Sequence, residues 1–499
     1  MHKRNFILST ASGALLALAF PPLGLGFIAY VGLAPFFLLF PQSEHKDALL
    51  YGFVAGLVFN AGTVYWICWA TIAGGLFSVF FLSLFFMLFA LLLNLVTQVW
   101  GIKGLLLAPF LWTAIEYLRS FGQLAFPWTL LGNTQTEYVP LIQFASITGV
   151  YGVSFWVVAI NICLYSLFRQ IDLKKTRVGG RLFSILVVLI LLFVLPYVYG
   201  KRVIPKERLK GEVEVAIIQP SIPIDIKWGP EGLPISFRTL EQMTLKVCHH
   251  RPDLIIWPET ATPCYLTHER KYRRRLHSIC DSVEIPIFTG SPHYDFQTRR
   301  FYNSAFLFMP GEREVQSYDK IHLVPGSERV PFSDTFGFLK TIAHRAGDFS
   351  MGKRFTVFQH HKGRFSVLIC FESIFPELTR QFVLRGAKFL VNITNDAWFG
   401  RTSGPYQHAQ IAVFRAIENR IAIARCANTG VSMFIDPYGR ISGATPIFAP
   451  RILVDTLPLR RGETIFTRYG NLLAKLCVTV LGVALIWVIV RRIRGRKVI

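Results

Sequence analysis

Three short stretches carry side chains whose types and order could do chemistry. "WPE" ends on Glu259, "YDKIHLVPGSERVPF" carries Lys320 and Glu328, and "RFSVLICFES" carries Cys370 with Glu372 two residues on. Taken singly, each has an ordinary explanation. Glu259 would be a helix cap or a surface acid, Lys320 a solvated loop residue, and Cys370 a small buried hydrophobe at a strand end. Taken together they form a complete acyl-transfer set. A cysteine attacks as thiolate and needs a base or cation nearby. A carboxylate in a partly apolar pocket can accept that proton. A lysine, with the backbone N–H that follows the cysteine, can stabilise the oxyanion of a tetrahedral intermediate. This set needs neither histidine nor metal.

The elements around these residues are short β-type runs separated by polar turns. Residues 212–220, 252–259, 285–292, 303–310, 365–372 and 387–396 read as strands, and 235–250, 268–283, 374–387 and 407–428 as helices. Near-continuous apolar strands imply sheets covered on both faces. The expectation is a layered α/β domain over 211–460 with its site at strand ends.

That domain is set in a chain of membrane composition. Of 499 residues, 52% are hydrophobic and only 17% charged, with a mean hydropathy of +0.42. A spanning helix needs about 20 mostly apolar residues, and eight candidates satisfy this, at about 5–20, 25–41, 47–71, 75–99, 103–120, 141–168, 182–199 and 470–490. The first is read as a retained helix, because Pro21-Pro22 and a second apolar run follow at once. Short-loop basic residues favour the cytoplasm. With eight spans, Lys3-Arg4, the Arg169–Arg181 stretch and the Arg491–Lys497 cluster all fall on one side. Residues 200–468 then lie outside the cytoplasm, and both termini inside. The outer loop at 119–140 carries Phe126, Trp128 and Tyr138, suited to an interfacial aromatic belt.

The net charge of +23 raises nucleic acid as a partner, but the basic residues flank apolar spans, and no RNP, zinc-finger or helix-turn-helix pattern is present. A basic tail after a hydrophobic span instead suits an anionic lipid surface. The eight cysteines form no CxxC pair, which argues against a zinc site and against a disulfide framework.

The order of "WPE", "YDKIHLVP" and "ICFE", followed by "NITNDAWFG" and "GPYQHAQIAVFRAIENRIAIARCANTG", resembles the nitrilase superfamily of carbon–nitrogen hydrolases. With seven apolar spans before this domain and one after it, the whole chain resembles the apolipoprotein N-acyltransferases, its membrane-embedded branch. The resemblance implies a bundle of eight transmembrane helices plus an extracytoplasmic αββα sandwich in the bacterial inner membrane. The domains would be 1–200 for seven helices, 211–460 for the catalytic domain, 469–491 for the last helix and 492–499 for a basic cytoplasmic tail.

It further implies Glu259 as general base, Lys320 as oxyanion stabiliser, Cys370 as nucleophile, and Glu328 and Glu372 as supporting acids. Trp228, Asn303 and Phe371 would contact substrate. No cofactor or metal is implied. The partners would be a phospholipid acyl donor, a diacylglyceryl apolipoprotein acceptor and membrane lipid, with the protein a monomer. The loop "VPGSERVPF" lacks a Phe before its Gly and a Tyr after its Glu, and Phe371 stands where a Tyr is common. A mobile cover over the site is expected at 326–350.

Two rivals stay open. One is a membrane-tethered amidase of the same superfamily, against which eight spans are excessive for a tether. The other is a transporter or receptor with an external domain. Transport sites use intramembrane charges, and Glu116 is about the only acid in the spans, placed to snorkel or to end a helix.

Overall fold

The computed structural model describes residues 2–40, 43–172, 179–335 and 347–493. Its chain falls into two compact units. One comprises Met1–Phe121, Ala125–Pro205 and Tyr469–Ile499; the other comprises Gly122–Leu124 and Lys206–Arg468.

The first unit is helical. Among the described residues, five helices are long and apolar enough to cross a membrane: His45–Val64, Ile72–Leu118, Val150–Gln170, Leu182–Val203 and Leu472–Ile493. The second of these covers two expected spans, joined through a 3-10 segment at Gly101–Leu107. The helix His2–Leu18 has 17 residues. The span expected at 25–41 is not one helix. It is a 3-10 turn, Gly26–Tyr30, and a short helix, Ala34–Phe37, with Pro35 in its first turn. Backbone freed by such a break must find partners inside the bundle. Asn161 supplies them: it accepts from Leu33 N at 2.8 Å and donates to Ala29 O at 2.7 Å.

Two further expectations are corrected in this unit. Trp128 forms no interfacial belt; it is 1% exposed and packs against Trp66. Glu116 does not snorkel. It is buried, and its Oε1 accepts from Trp112 Nε1 at 2.8 Å and from Leu131 N at 2.7 Å.

Among the described residues, the second unit contains eleven strands. In chain order they are β1 (Val213–Gln219), β2 (Leu254–Ile256), β3 (Ile287–Asp295), β4 (Arg300–Phe308), β5 (Gln316–Asp319), β6 (Phe365–Ile369), β7 (Phe389–Thr394), β8 (Ile423–Ala427), β9 (Met433–Ile435), β10 (Ile441–Ser442) and β11 (Arg451–Leu457). They form a six-stranded sheet, β11-β1-β2-β3-β4-β5, and a five-stranded one, β10-β9-β8-β7-β6. β1, β2 and β3 run parallel, as do β6, β7 and β8.

Helices Gly232–Val247 and Arg270–Val283 cover the first sheet, burying Phe237, Leu240, Leu276 and Ile279 against Ile255, Trp257 and Phe306. Helices Pro376–Leu384 and Gly404–Asn419 pack on the second sheet. Between the sheets, Phe288 meets Phe358 and Phe365 edge-on. The result is a four-layer αββα arrangement: the strand pattern implies a layered α/β domain, and the family resemblance its αββα form.

The helix expected at 407–428 is two elements. It stops at Asn419, Arg420 turns the chain at φ 48°, and "IARCA" becomes β8. A short apolar run has no period of its own, so only its sheet neighbours decide that it is a strand. The cover expected at 326–350 falls partly outside the described residues, which omit 336–346, as do Lys174, Lys175, Arg177 and the tail beyond 493.

Candidate active site

Glu259 lies just past the carboxyl end of β2, where Thr260 takes a left-handed turn at φ 47°. Gly290 on β3 makes room for it. A Cβ at Gly290 would sit 2.8 Å from both Glu259 Cα and Thr260 N. The Glu259 carboxylate accepts from Asn303 Nδ2 and from Asn395 N, each at 2.8 Å.

Lys320 follows β5 directly and is 1% exposed. Its Nζ lies 2.9 Å from the Glu328 carboxylate and 3.7 Å from Glu259 Oε1. Asn303 Nδ2 also donates to Glu328 Oε1 at 2.8 Å, so one amide bridges both acids. The Val324 N–H donates to Glu328 Oε2 at 2.8 Å, fixing the loop that carries it.

These charges set protonation. Burial alone would lower Lys320, but Glu328, Glu259 and Cys370 together hold it above its ordinary value, so it stays an ammonium. Burial, and then the Glu259 charge, push the Cys370 thiol up, while Lys320 pulls it back. The resting sulfur therefore keeps its proton, and attack requires a base to take it.

Cys370 closes β6 and opens a 3-10 turn, Cys370–Ile374, in left-handed backbone at φ 52°. Glu372, fully buried, ties this elbow to the lysine's loop. Its Oε1 accepts from Tyr318 OH at 2.6 Å, Ile321 N at 2.7 Å and His322 N at 3.1 Å. Its Oε2 accepts from Ile369 N at 2.8 Å. Burial pushes Glu372 up to about 7 against the pull of these donors. The ring of His322 stacks on Phe375, and burial holds its imidazole down at about 4, hence neutral.

The structure thus brings Glu259, Lys320, Glu328 and Asn303 into one cluster, and the Glu259 and Lys320 charges reach the Cys370 thiol. Phe371 is buried edge-on to Phe375. Trp228 is 51% exposed, and it is the preceding residue that reaches the cluster. Lys227, 1% exposed, donates from Nζ to the Glu259 carbonyl at 3.3 Å, and burial lowers it to about 8.

Lys227, Gly290, Thr394, Asn395, Asp396 and His408 received no role from sequence reasoning. The motifs "NITND" and "GPYQHAQ" held most of them in view, but spacing does not say which side chain turns toward the cysteine. Among the described residues, Cys370, Asp396 and His408 place ligand-type atoms within 4.8 Å of one another. Both His408 nitrogens and both Asp396 oxygens are already hydrogen-bonded, one of them to the Arg425 guanidinium. That cation and those bonds leave no face for a metal ion.

Residues 12–163 match the apolipoprotein N-acyltransferase N-terminal domain, and residues 214–465 match carbon-nitrogen hydrolase. An apolipoprotein N-acyltransferase of Geobacter metallireducens is 37% identical over 489 residues, covering 95% of this chain and 94% of the relative. One from Chlorobaculum tepidum is 33% identical, covering 98% and 97%. Among solved structures, Nit3 of Saccharomyces cerevisiae, a member of branch 10 of the nitrilase superfamily, is 20% identical with a TM-score of 0.40, covering 51% of this chain and 93% of that one. This membrane protein belongs to the apolipoprotein N-acyltransferase family, and its second unit is that family's carbon-nitrogen hydrolase domain.

Proposed function

We propose that this enzyme moves an acyl chain from a phospholipid, through a thioester on Cys370, to the free α-amino group of the diacylglyceryl-cysteine that begins an apolipoprotein. The observation that carries the reading is a buried ammonium, Lys320, set 3.7 Å from Glu259 and acting on the Cys370 thiol, in a chain alike over nearly its whole length to named acyltransferases.

Glu259 takes the thiol proton as sulfur attacks the ester carbonyl. The oxyanion forms against Lys320 and the Phe371 backbone N–H. Collapse breaks the ester C–O bond, and Glu259 returns its proton to the departing lysophospholipid oxygen. The acceptor amine then attacks the thioester, Glu259 accepts the amine proton, and the proton goes back to the departing thiolate. An amide is more stable than a thioester, so the second step runs forward without a nucleotide. Glu328 and Asn303 hold Lys320 and Glu259 at their stations, Glu372 holds the elbow, and Trp228 with Phe371 contacts lipid.

The organisation that goes with this reading is eight membrane crossings, with 1–200 and 469–491 in the bilayer. The 211–460 domain lies on the periplasmic side of a bacterial inner membrane, and both termini, including the 492–499 tail, are cytoplasmic. The enzyme acts as a monomer without cofactor, metal or nucleic acid. The short helix His2–Leu18 and the broken 25–41 segment, with its backbone satisfied by Asn161, are compatible with spanning. The test is incubation of purified chain with acyl-labelled phospholipid, quenched in acid and digested. A labelled thioester on the Cys370 peptide, absent in Cys370→Ala and discharged by a diacylglyceryl-cysteine peptide with a free amine, is expected. Release of free fatty acid or ammonia from amides, with no thioester turnover to the peptide, would instead establish the tethered amidase.

A further inference from the structure

Behind the nucleophile runs a buried polar chain that this mechanism does not use. Asp396 and His408 are both 0% exposed. Asp396 Oδ1 accepts from Thr394 Oγ1 and faces His408 Nδ1, each at 2.8 Å, and its Oδ2 accepts from Arg425 Nη2 at 2.9 Å. Gly430 permits this arrangement, since a Cβ there would lie 2.2 Å from Asp396 Oδ2. Although burial would raise Asp396, His408 and Arg425 hold it below the usual carboxylate range, so it presents a charge to the ring.

The other ring nitrogen points to the catalytic turn. His408 Nε2 lies 3.0 Å from the Cys370 carbonyl oxygen and 3.1 Å from Ser373 Oγ, and Ser373 Oγ itself donates to that carbonyl at 3.0 Å. A carbonyl oxygen has no proton to give. A ring nitrogen at that distance is attracted to it only when it carries the proton, which assigns a proton to Nε2. Burial, against the pull of the Asp396 carboxylate, holds the imidazole below its ordinary value.

The carbonyl so gripped belongs to a strained residue. Cys370 is non-glycine at φ 52°, and such backbone persists only where its surroundings over-determine it. We propose that His408, backed by Asp396 and Arg425, is a positioning residue for the nucleophile: by donating to the Cys370 carbonyl it holds the left-handed elbow that presents the thiol to Glu259 and Lys320. Thr394 completes the link, since its hydroxyl bonds Asp396 and also interacts with the Cys370 thiol. The proposal rests on the acyl-transfer reading only for one of its two readouts.

The experiment compares native chain with His408→Ala, His408→Gln and His408→Asn, full length and in detergent. One readout is the alkylation rate of Cys370 by iodoacetamide, followed on its own peptide by mass spectrometry. The other is the rate and half-saturating phospholipid concentration for acyl-thioester formation. A glutamine amide can occupy the place of Nε2 and donate to the carbonyl, whereas asparagine reaches only the place of Nδ1. Alanine is expected to slow both reactions roughly twofold to tenfold, the worth of one hydrogen bond from a neutral donor, with half-saturation unchanged. Glutamine is expected to recover most of the loss and asparagine little. Native rates in His408→Ala overturn the proposal. Equal rates in the Gln and Asn chains also overturn it, even if the alanine chain does not fold. Alkylation involves no phospholipid. A chain that shows the Gln–Asn difference yet forms no thioester therefore sinks the acyl-transfer reading and leaves this one standing.

Discussion

Glu259→Gln separates the two things this carboxylate does. In the native site one oxygen accepts from Asn303 Nδ2 and faces Lys320 Nζ at 3.7 Å, while the other accepts from Asn395 N. Every partner is a donor. A glutamine must therefore aim its NH₂ at one of them, leaving a buried donor pair unsatisfied at a cost of about 1–3 kcal/mol. It also removes an attraction to Lys320 of about 4 kcal/mol at an effective dielectric near 20. Loss of the base predicts thioester formation slower by about 10²–10⁴.

The same change moves the thiol the other way. The Glu259 charge raises Cys370 and Lys320 lowers it, so removing the carboxylate takes away one of the influences that hold the thiol up. The pH at which iodoacetamide alkylates Cys370 at half its maximal rate should fall, even as acyl transfer is lost. The assay is alkylation against pH beside label transfer from phospholipid, on the same preparations. An alkylation profile that stays put or moves upward would refute the electrostatic account of the site. Undiminished thioester formation would refute Glu259 as the base.

Gly290→Ala should cripple transfer without touching a catalytic side chain, because its Cβ would press on Glu259 Cα and Thr260 N. Overpacking of this kind costs about 1–3 kcal/mol, visible as a lowered melting point together with slow thioester formation. Glu372→Gln should loosen the lysine's loop, read as faster proteolysis near Ile321. Its folded-state value of about 7 lies above that of an unfolded glutamate. The stabilisation from its protonated form is therefore full at acid pH and lost as pH rises through about 7. The melting-point gap between native chain and Glu372→Gln should narrow from pH 5 to pH 8; a widening gap would contradict this sign. In the helical unit, Asn161→Leu leaves Leu33 N and Ala29 O without their partner. It should lower thermal stability in detergent by about 1–2 kcal/mol, and an unchanged melting point would show that the broken segment is satisfied otherwise.

Much of the α/β unit was legible because its strands are apolar and bounded by turns. β1, β3, β6 and β7 fall close to where composition puts them, and β3, β6 and β7 supply or border site residues. β5 and β8–β11 were not legible. β5, "QSYD", is polar, and its strand character comes from pairing with β4. "IARCA" in β8 is indistinguishable from a buried helix until its neighbours are known. The same limit applied in the helical unit, where 25–41 is apolar enough to span but is broken, its backbone completed by an asparagine more than a hundred residues away.

For the site, residue type and order offered Glu259, Lys320 and Cys370 as an acyl-transfer set, since few combinations of side chains can carry an acyl group without a metal, and the family resemblance added Glu328 and Glu372. Type and order also fixed the compartment to expect, because apolar length and flanking charge are one-dimensional properties. What tertiary structure decided was which of the remaining polar residues touch these. Asn303 lies between two acids because β4 pairs with β3 and β5, Lys227 rather than Trp228 turns inward, and Glu372 acts as a latch. His408 meets the Cys370 carbonyl because the helix Gly404–Asn419 packs on the turn after β6. Those contacts depend on side-chain direction across separate elements, and hydrogen bonds at 3 Å are set by packing that linear spacing does not encode.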